Sequence, residues 1–230
     1  MIPISFGKNM KALATLLVLL GATLTLTAAD AYFPKGSISE FEQEWYGKHL
    51  SAMIEPALSP TGKDSGYFAF RVLYLPTWGR PVAVRYEGKQ GGFVRRSVML
   101  SGEGGYDPGK IASEKEVKIA KQEVAALIAS LEKAGFWKMP QQDDVIGRDG
   151  SEVIIEVIRA GEHRVRVRWT PEFETEKRGL SALVALYTAQ FQSAGFWKTD
   201  EKNAEGGAAN GSQPNRAETN RTSSVAGSRR

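Results

Sequence analysis

The amino-acid sequence predicts an α+β fold: an antiparallel sheet of about five strands, two helices packed on one face, and an N-terminal helix. Three observations carry this expectation. Runs of aromatic and β-branched residues recur between turn residues across 67–100 and 152–170. Stretches with apolar residues at three- and four-residue spacing follow each set. Both stretches close on the same five residues, Ala134-Gly135-Phe136-Trp137-Lys138 and Ala194-Gly195-Phe196-Trp197-Lys198.

The first element is a helix over 39–54. Ser39 and Glu42 form a capping box, in which each side chain satisfies an orphan backbone donor. Phe41, Trp45, His49 or Leu50, and Met53 fall on one face, and Pro56 ends the helix. After a polar linker from Ser59 to Gly66, Tyr67–Leu75 reads as a strand stopped by Pro76. Val82–Glu87 alternates, turns at Gly88–Gly92 and returns over Phe93–Leu100. A glycine-rich loop follows, with Gly102, Gly104, Gly105 and Gly109.

The second helix is expected over 113–134, opened by a capping box of Ser113 and Glu116. Val117, Ala120, Val124, Leu127, Ile128 and Leu131 form its apolar stripe. Gly135 suits a Schellman stop, with Phe136 folding back on Leu131. A hairpin over 152–170 places Val153, Ile155 and Val157 on one face. If Val165, Val167 and Trp169 share that face, the loop must have odd length, and Arg159-Ala160-Gly161 meets the condition. Glu156 then lies opposite Arg164, or opposite Arg166 with the loop one step later. The last helix spans roughly 174–194, with Leu180, Leu183, Val184, Tyr187 and Phe191 inward. The shared pentapeptide suggests a duplicated ββα unit; convergent use of one good helix stop is the alternative. Phe136, Trp137, Phe196 and Trp197 should cover the apolar edge of the sheet at the helix exits.

Composition sets limits on function. The chain has 230 residues, 42% of them hydrophobic, and a net charge of +4. That small excess of base is no nucleic-acid footprint, and no nucleic-acid partner is expected. The absence of cysteine excludes disulfides, thiolate metal sites, a cysteine nucleophile and a lipidated N-terminal cysteine. Lys8 and Lys11 precede an uncharged run, Ala12 to Leu26, and Ala29-Asp30-Ala31 reads as a cleavage site. Residues 1–31 are therefore expected to be a signal peptide, with Met10 as a second candidate start. The domain is 32–198, and 199–230 is a polar tail expected to be disordered. The expected location is periplasmic or secreted; anchoring in the inner membrane by residues 12–29 is the alternative.

Several stretches occur together: Trp45-Tyr46-Gly47-Lys48-His49-Leu50, Gly104-Gly105-Tyr106-Asp107-Pro108-Gly109, Phe136-Trp137-Lys138-Met139-Pro140, Gly147-Arg148-Asp149-Gly150 with Glu156, and Arg168-Trp169-Thr170-Pro171. In this order they resemble a family of uncharacterised exported bacterial proteins and lipoproteins that carry WYxxHL, GGYxPG, FWxxP, GxDGxxWxxE and RWxP elements. Val153 or Ile154 stands where that family has tryptophan. The resemblance covers most of 45–171 and implies domain limits, with no activity attached.

No residue pattern specifies catalysis, a metal or a cofactor. His49 with the acidic residues Asp149 and Glu156 is the hydrolase alternative, drawn from a cluster that also holds Asp143, Asp144 and Glu152. His163 follows a turn and is expected to be exposed. The glycines at 102–109 lack the lysine and hydroxyl of a phosphate loop. The arginine face is more unusual. Arg164, Arg166 and Arg168 alternate on one strand, with Arg85 and Arg71 on neighbours and Glu156 as a counter-charge. This points to a binding or structural factor, with an anionic envelope lipid or glycan as the candidate partner. A purely interacting protein would instead expose aromatics around Trp45, Trp78 or Tyr106.

Overall fold

The computed structural model describes residues 31–59, 66–89 and 92–197. The signal peptide assigned to 1–31 (all but its last residue), the tail 199–230, most of the linker Ser59–Gly66 and the tip of the turn at 88–92 lie outside these residues. The chain is α+β. Strands β1 (Phe68–Pro76), β2 (Val82–Lys89), β3 (Gly92–Leu100), β4 (Ile111–Ile119), β5 (Ser151–Arg159) and β6 (Glu162–Trp169) form one sheet. All pairings are antiparallel, in the order β4-β3-β2-β1-β5-β6. The helices are α1 (Glu40–Ala52), α2 (Lys121–Lys133) and α3 (Ser181–Ala194). Among the described residues, no helix is long and apolar enough to cross a membrane.

Both faces of the sheet are covered. Phe70, Val72, Val84, Tyr86, Val153, Ile155 and Val157 pack against Val124, Leu127 and Leu131 of α2 and Leu183, Leu186, Tyr187 and Phe191 of α3. The alternate residues Leu73, Leu75, Ala83, Val98, Ile154, Val165 and Val167 pack under Tyr46, Leu50 and Met53 of α1, with Phe33 and Ile38. The N-terminal helix, expected across an end of the sheet or on the same face, sits instead on the face opposite α2 and α3. Its capping box forms as expected: the Glu42 N–H donates to Ser39 Oγ (3.2 Å), and the Ser39 N–H donates to Glu42 Oε2 (2.8 Å). Its buried side is turned from the expected one, so that Tyr46 is buried and Phe41 is exposed.

Two expectations are corrected. Residues 111–119 form the edge strand β4 and not the start of a helix. The real α2 begins after Ala120, whose N–H donates to Glu123. β4 alternates Glu114, Glu116 and Lys118 with Lys115 and Val117, a charged and exposed strand of the kind that protects a sheet edge. It also interposes a strand between the expected first hairpin and its helix; the hairpin-then-helix order is β3–β4–α2 and then β5–β6–α3. The last helix likewise starts at Ser181, not near 174, because Glu174 and Gly179 take positive φ.

The β5–β6 hairpin pairs Arg159 with Glu162 and Glu156 with Val165. Ala160 and Gly161, both at positive φ, make a two-residue turn. The odd-length loop fails because its premise fails. With both faces covered, Val165 and Val167 need not share a side with Val153 and Ile155.

The two glycine stops follow the sequence. Phe136 N–H donates to Leu131 O and Gly135 N–H to Glu132 O; Phe196 N–H and Gly195 N–H repeat the pattern on Phe191 and Gln192. Phe136 is buried, and Trp137, Phe196 and Trp197 pack against the same core. Gly135 and Gly195 have φ of +65° and +82°, with open space where a Cβ would stand. Gly135→Ala and Gly195→Ala are each expected to cost about 1 kcal/mol through backbone strain alone. Urea denaturation should register the loss; unchanged midpoints for both variants would contradict the caps.

Candidate functional site

The arginines do not form one open face. Arg164, Arg166 and Arg168 pair with Val157, Ile155 and Val153, which puts them on the α2/α3 side. Arg85, which pairs with Arg71 and Arg96, points to the α1 side. Arg166 and Arg168 are buried and donate to backbone carbonyls, only Arg168 Nε among their side-chain nitrogens making no hydrogen bond. Arg166 Nε reaches Phe136 O (3.1 Å), and Arg168 Nη2 reaches Pro140 O (2.7 Å) and its Nη1 Gln141 O (3.0 Å). Gln141 O also accepts from the Val167 N–H, so this loop covers the outer edge of β6. Only Arg164 is exposed, beside Glu162.

On the α1 side the charges neutralise one another. The exit from α1 turns at Ile54, φ +56°, and drives Glu55 under the sheet. Glu55 accepts from Arg85 Nε (2.8 Å) and from Arg96, while Arg71 Nη1 lies 3.6 Å away. Arg71 also pairs with Glu156, its register partner across β1–β5. Glu156 therefore has Arg71 as its cation, not Arg164 or Arg166. Its other oxygen lies 2.7 Å from His163 Nε2, and His163 is half-buried instead of exposed. Arg96 completes the cluster with Glu114 at 2.8 Å and Met53 O at 2.8 Å. This is an anchor that clamps the end of α1 to the sheet.

His49 is fully buried, with Nδ1 3.0 Å from Trp45 O and Nε2 3.4 Å from Glu103 O. Burial holds its pKa below the ordinary histidine value, so it is a neutral packing group. Asp149 is exposed, and Glu156 is engaged as above. Neither cleft described below is lined by His49, Asp149 or Glu156. The glycine loop is also structural. Gly104 N–H donates to Gly79 O and Gly105 N–H to Thr77 O, and a Cβ at Gly104 would stand 2.6 Å from the Leu75 backbone.

A different group of residues comes together at the end of the sheet nearest α1. Glu152 lies directly across from Trp169 on β6 and from Leu75 on β1. Trp45 of α1 closes the space above, its Nε1 donating to Gly104 O (2.8 Å). Thr77, Arg148 and Ser151 complete a cleft of 190 Å³. The Trp169 ring lies against the 147–150 loop so closely that a Cβ on Gly147 would fall 1.9 Å from its Cζ2. Glycine at 147 is what lets the indole lie there. The loop is fastened by Thr77 N–H to Gly150 O (2.8 Å) and Gly150 N–H to Thr77 Oγ1 (3.1 Å).

Glu152 is the chemically unusual group. Its Oε2 is buried and has no hydrogen-bond partner. Burial, with smaller contributions from Glu42 and Asp143, raises its pKa from 4.5 to about 7. A carboxyl group with that environment in a cleft is poised to respond to a ligand or to pH. Next to this cleft, Trp78 and Tyr106 stack at 5.0 Å and are largely exposed, in the aromatic area expected for an interacting protein. A larger cleft of 310 Å³ at the exit of α2 contains Lys138, Asp143, Arg168 and Arg178. Asp143 is already paired there: its Oδ2 accepts from Arg178 Nη2 (2.8 Å) and Nε (3.1 Å), and Arg168 Nε, which makes no hydrogen bond, lies 3.7 Å from it.

The sequence placed Glu152 within an acidic cluster but gave it no role, and it did not join Trp45 to Trp169. Only the pairing of β5 with β6 and the seating of α1 bring these three together. Comparison of the chain with protein-family models finds no match, and comparison with curated proteins finds none.

Proposed function

We propose that the protein is an exported bacterial binding protein, acting by recognition and not by catalysis, with a small-molecule site between Trp45 and Trp169. The observation that carries this reading is the buried, unpartnered Oε2 of Glu152 in a cleft walled by two indoles. An unsatisfied buried polar atom is costly, and a ligand that satisfies it recovers that cost. The stretches that carry the family resemblance also meet here: Trp45-Tyr46, Gly104-Gly105, Gly147–Gly150 and Trp169 line the cleft or hold its walls. Recognition of an anionic envelope component by Arg85, Arg164, Arg166 and Arg168 has less support. Two of these donate to carbonyls and a third to Glu55. The hydrolase alternative has less still, since His49 and Glu156 are each engaged in separate internal contacts.

Two measurements test the reading. Mass spectrometry of the periplasmic or secreted fraction should find a chain beginning at Tyr32 or Asp30; an intact N-terminus in the membrane fraction would overturn export. Indole N–H resonances of the ¹⁵N-labelled protein should be followed against a panel of amines, sugars and phosphates. A binder should shift Trp45 and Trp169 and leave Trp137 and Trp197, on the opposite face, in place. Silence of Trp45 and Trp169 across the panel would overturn the site.

A further inference from the structure

We infer that the cleft is a site for an organic cation, an ammonium group held between the Trp45 and Trp169 indoles with its charge on Glu152. This rests on the proposed small-molecule site and names its ligand class.

The argument starts from the walls. Indole is the side chain whose π-face best attracts a cation, and the attraction grows when water is excluded. Two of the chain's five tryptophans line this one cleft. The floor is Glu152, whose buried oxygen has no donor. The surrounding groups decide which partner suits it. From α1, Glu42 and Tyr46 face Glu152; from the 139–150 loop, Asp143 does. Glu42 is held by the Ser39 N–H and by Gln142, and Asp143 by Arg178, so their positions are fixed. The one basic group in the lining, Arg148, is exposed, so water screens it. β1 contributes Leu75, and Thr77 follows just beyond its end; neither carries charge. An anion would therefore meet a second carboxylate with no buried cation to receive it. A neutral hydroxyl compound would satisfy Glu152 Oε2 but would leave its charge uncompensated. A cation does both.

A proton balance follows. Glu152 holds a proton to about pH 7 in the free protein. An ammonium group beside it favours the carboxylate, so binding at pH 6 expels that proton to solvent. Affinity rises with pH as the free carboxyl ionises, and levels off above it.

The test uses choline and its uncharged isostere, with carbon in place of the quaternary nitrogen, by calorimetry on the mature protein. Choline should bind about tenfold more tightly than the isostere. At pH 6 its heat should vary with the ionisation enthalpy of the buffer, reporting proton release, and at pH 8.5 that variation should vanish. Glu152→Gln should lose both the tenfold preference and the proton release. Should that variant not fold, the wild-type buffer dependence decides alone. Co-sedimentation with phosphatidylcholine vesicles distinguishes a lipid headgroup, which sediments the protein, from a free solute, which does not. Equal binding of choline and isostere, both shifting Trp45 and Trp169, would overturn the cation and leave the cleft standing. A sugar or phosphate that shifts those indoles while choline does not would also overturn it. No shift with any compound would overturn cation and cleft together.

Discussion

Replacing Glu55 with glutamine is expected to remove on the order of 3–5 kcal/mol of folding stability. Glu55 is buried and receives Arg85 and Arg96 directly, with Arg71 at 3.6 Å. Glutamine keeps the shape but removes the charge and offers an NH₂ group where guanidinium groups need acceptors. Glu156 still serves Arg71, and Glu87 and Glu114 still reach Arg85 and Arg96 from partly exposed positions. Glu55 alone joins all three arginines to the end of α1. The loss is thus a large share of the roughly 5–15 kcal/mol available to a domain. Urea denaturation and a fall in Tm of about 10 °C should register it. A loss below about 1 kcal/mol would mean that water already compensates these charges.

The second large effect is a dependence of stability on pH carried by Glu152. Its folded pKa, about 7, lies above the ordinary 4.5, so the folded state holds the proton more tightly than the unfolded chain does. The direction follows from linkage. Stability is fully present below about pH 4.5 and declines as pH rises through 7, because ionising Glu152 in place is costly. The difference across that window is on the order of 3 kcal/mol. Glu152→Gln cannot ionise, so it should flatten this part of the curve and make the protein more stable than wild type at pH 8.5. Chemical denaturation at pH 5, 7 and 8.5 on both proteins checks this. Parallel curves would place Glu152 in water.

Local signals in the sequence were reliable where one turn of chain decides the outcome. Ser39 with Glu42 and the two Ala-Gly-Phe-Trp-Lys stops read correctly, because caps depend on neighbours within a few residues. β4 is hidden in the sequence behind a false helix start. Ser113 and Glu116 mimic a capping box, and Val117 and Ala120 continue a helical stripe into the real helix. The period-two signal was weak because an edge strand carries charges on both sides. The hairpin register failed on a non-local fact. A sheet covered on one side requires its valines to agree, whereas α1 gives Val165 and Val167 a second core. The same fact hides the arginines, since the carbonyls that receive Arg166 and Arg168 come from the loop after α2. The cleft lay beyond local reading because Trp45, Glu152 and Trp169 come from a helix and two strands joined only by packing. In sequence, Glu152 resembles the exposed acids near it. Its burial comes from Trp169 across the strand and Trp45 above.

The most direct test of the cleft is a ¹³C NMR titration of the Glu152 side-chain carboxyl, with and without saturating choline. The account predicts a midpoint near 7 in the free protein, falling by about one pH unit or more with choline bound. An ordinary carboxylate midpoint in the free protein, or a midpoint near 7 that choline leaves unmoved, would contradict it.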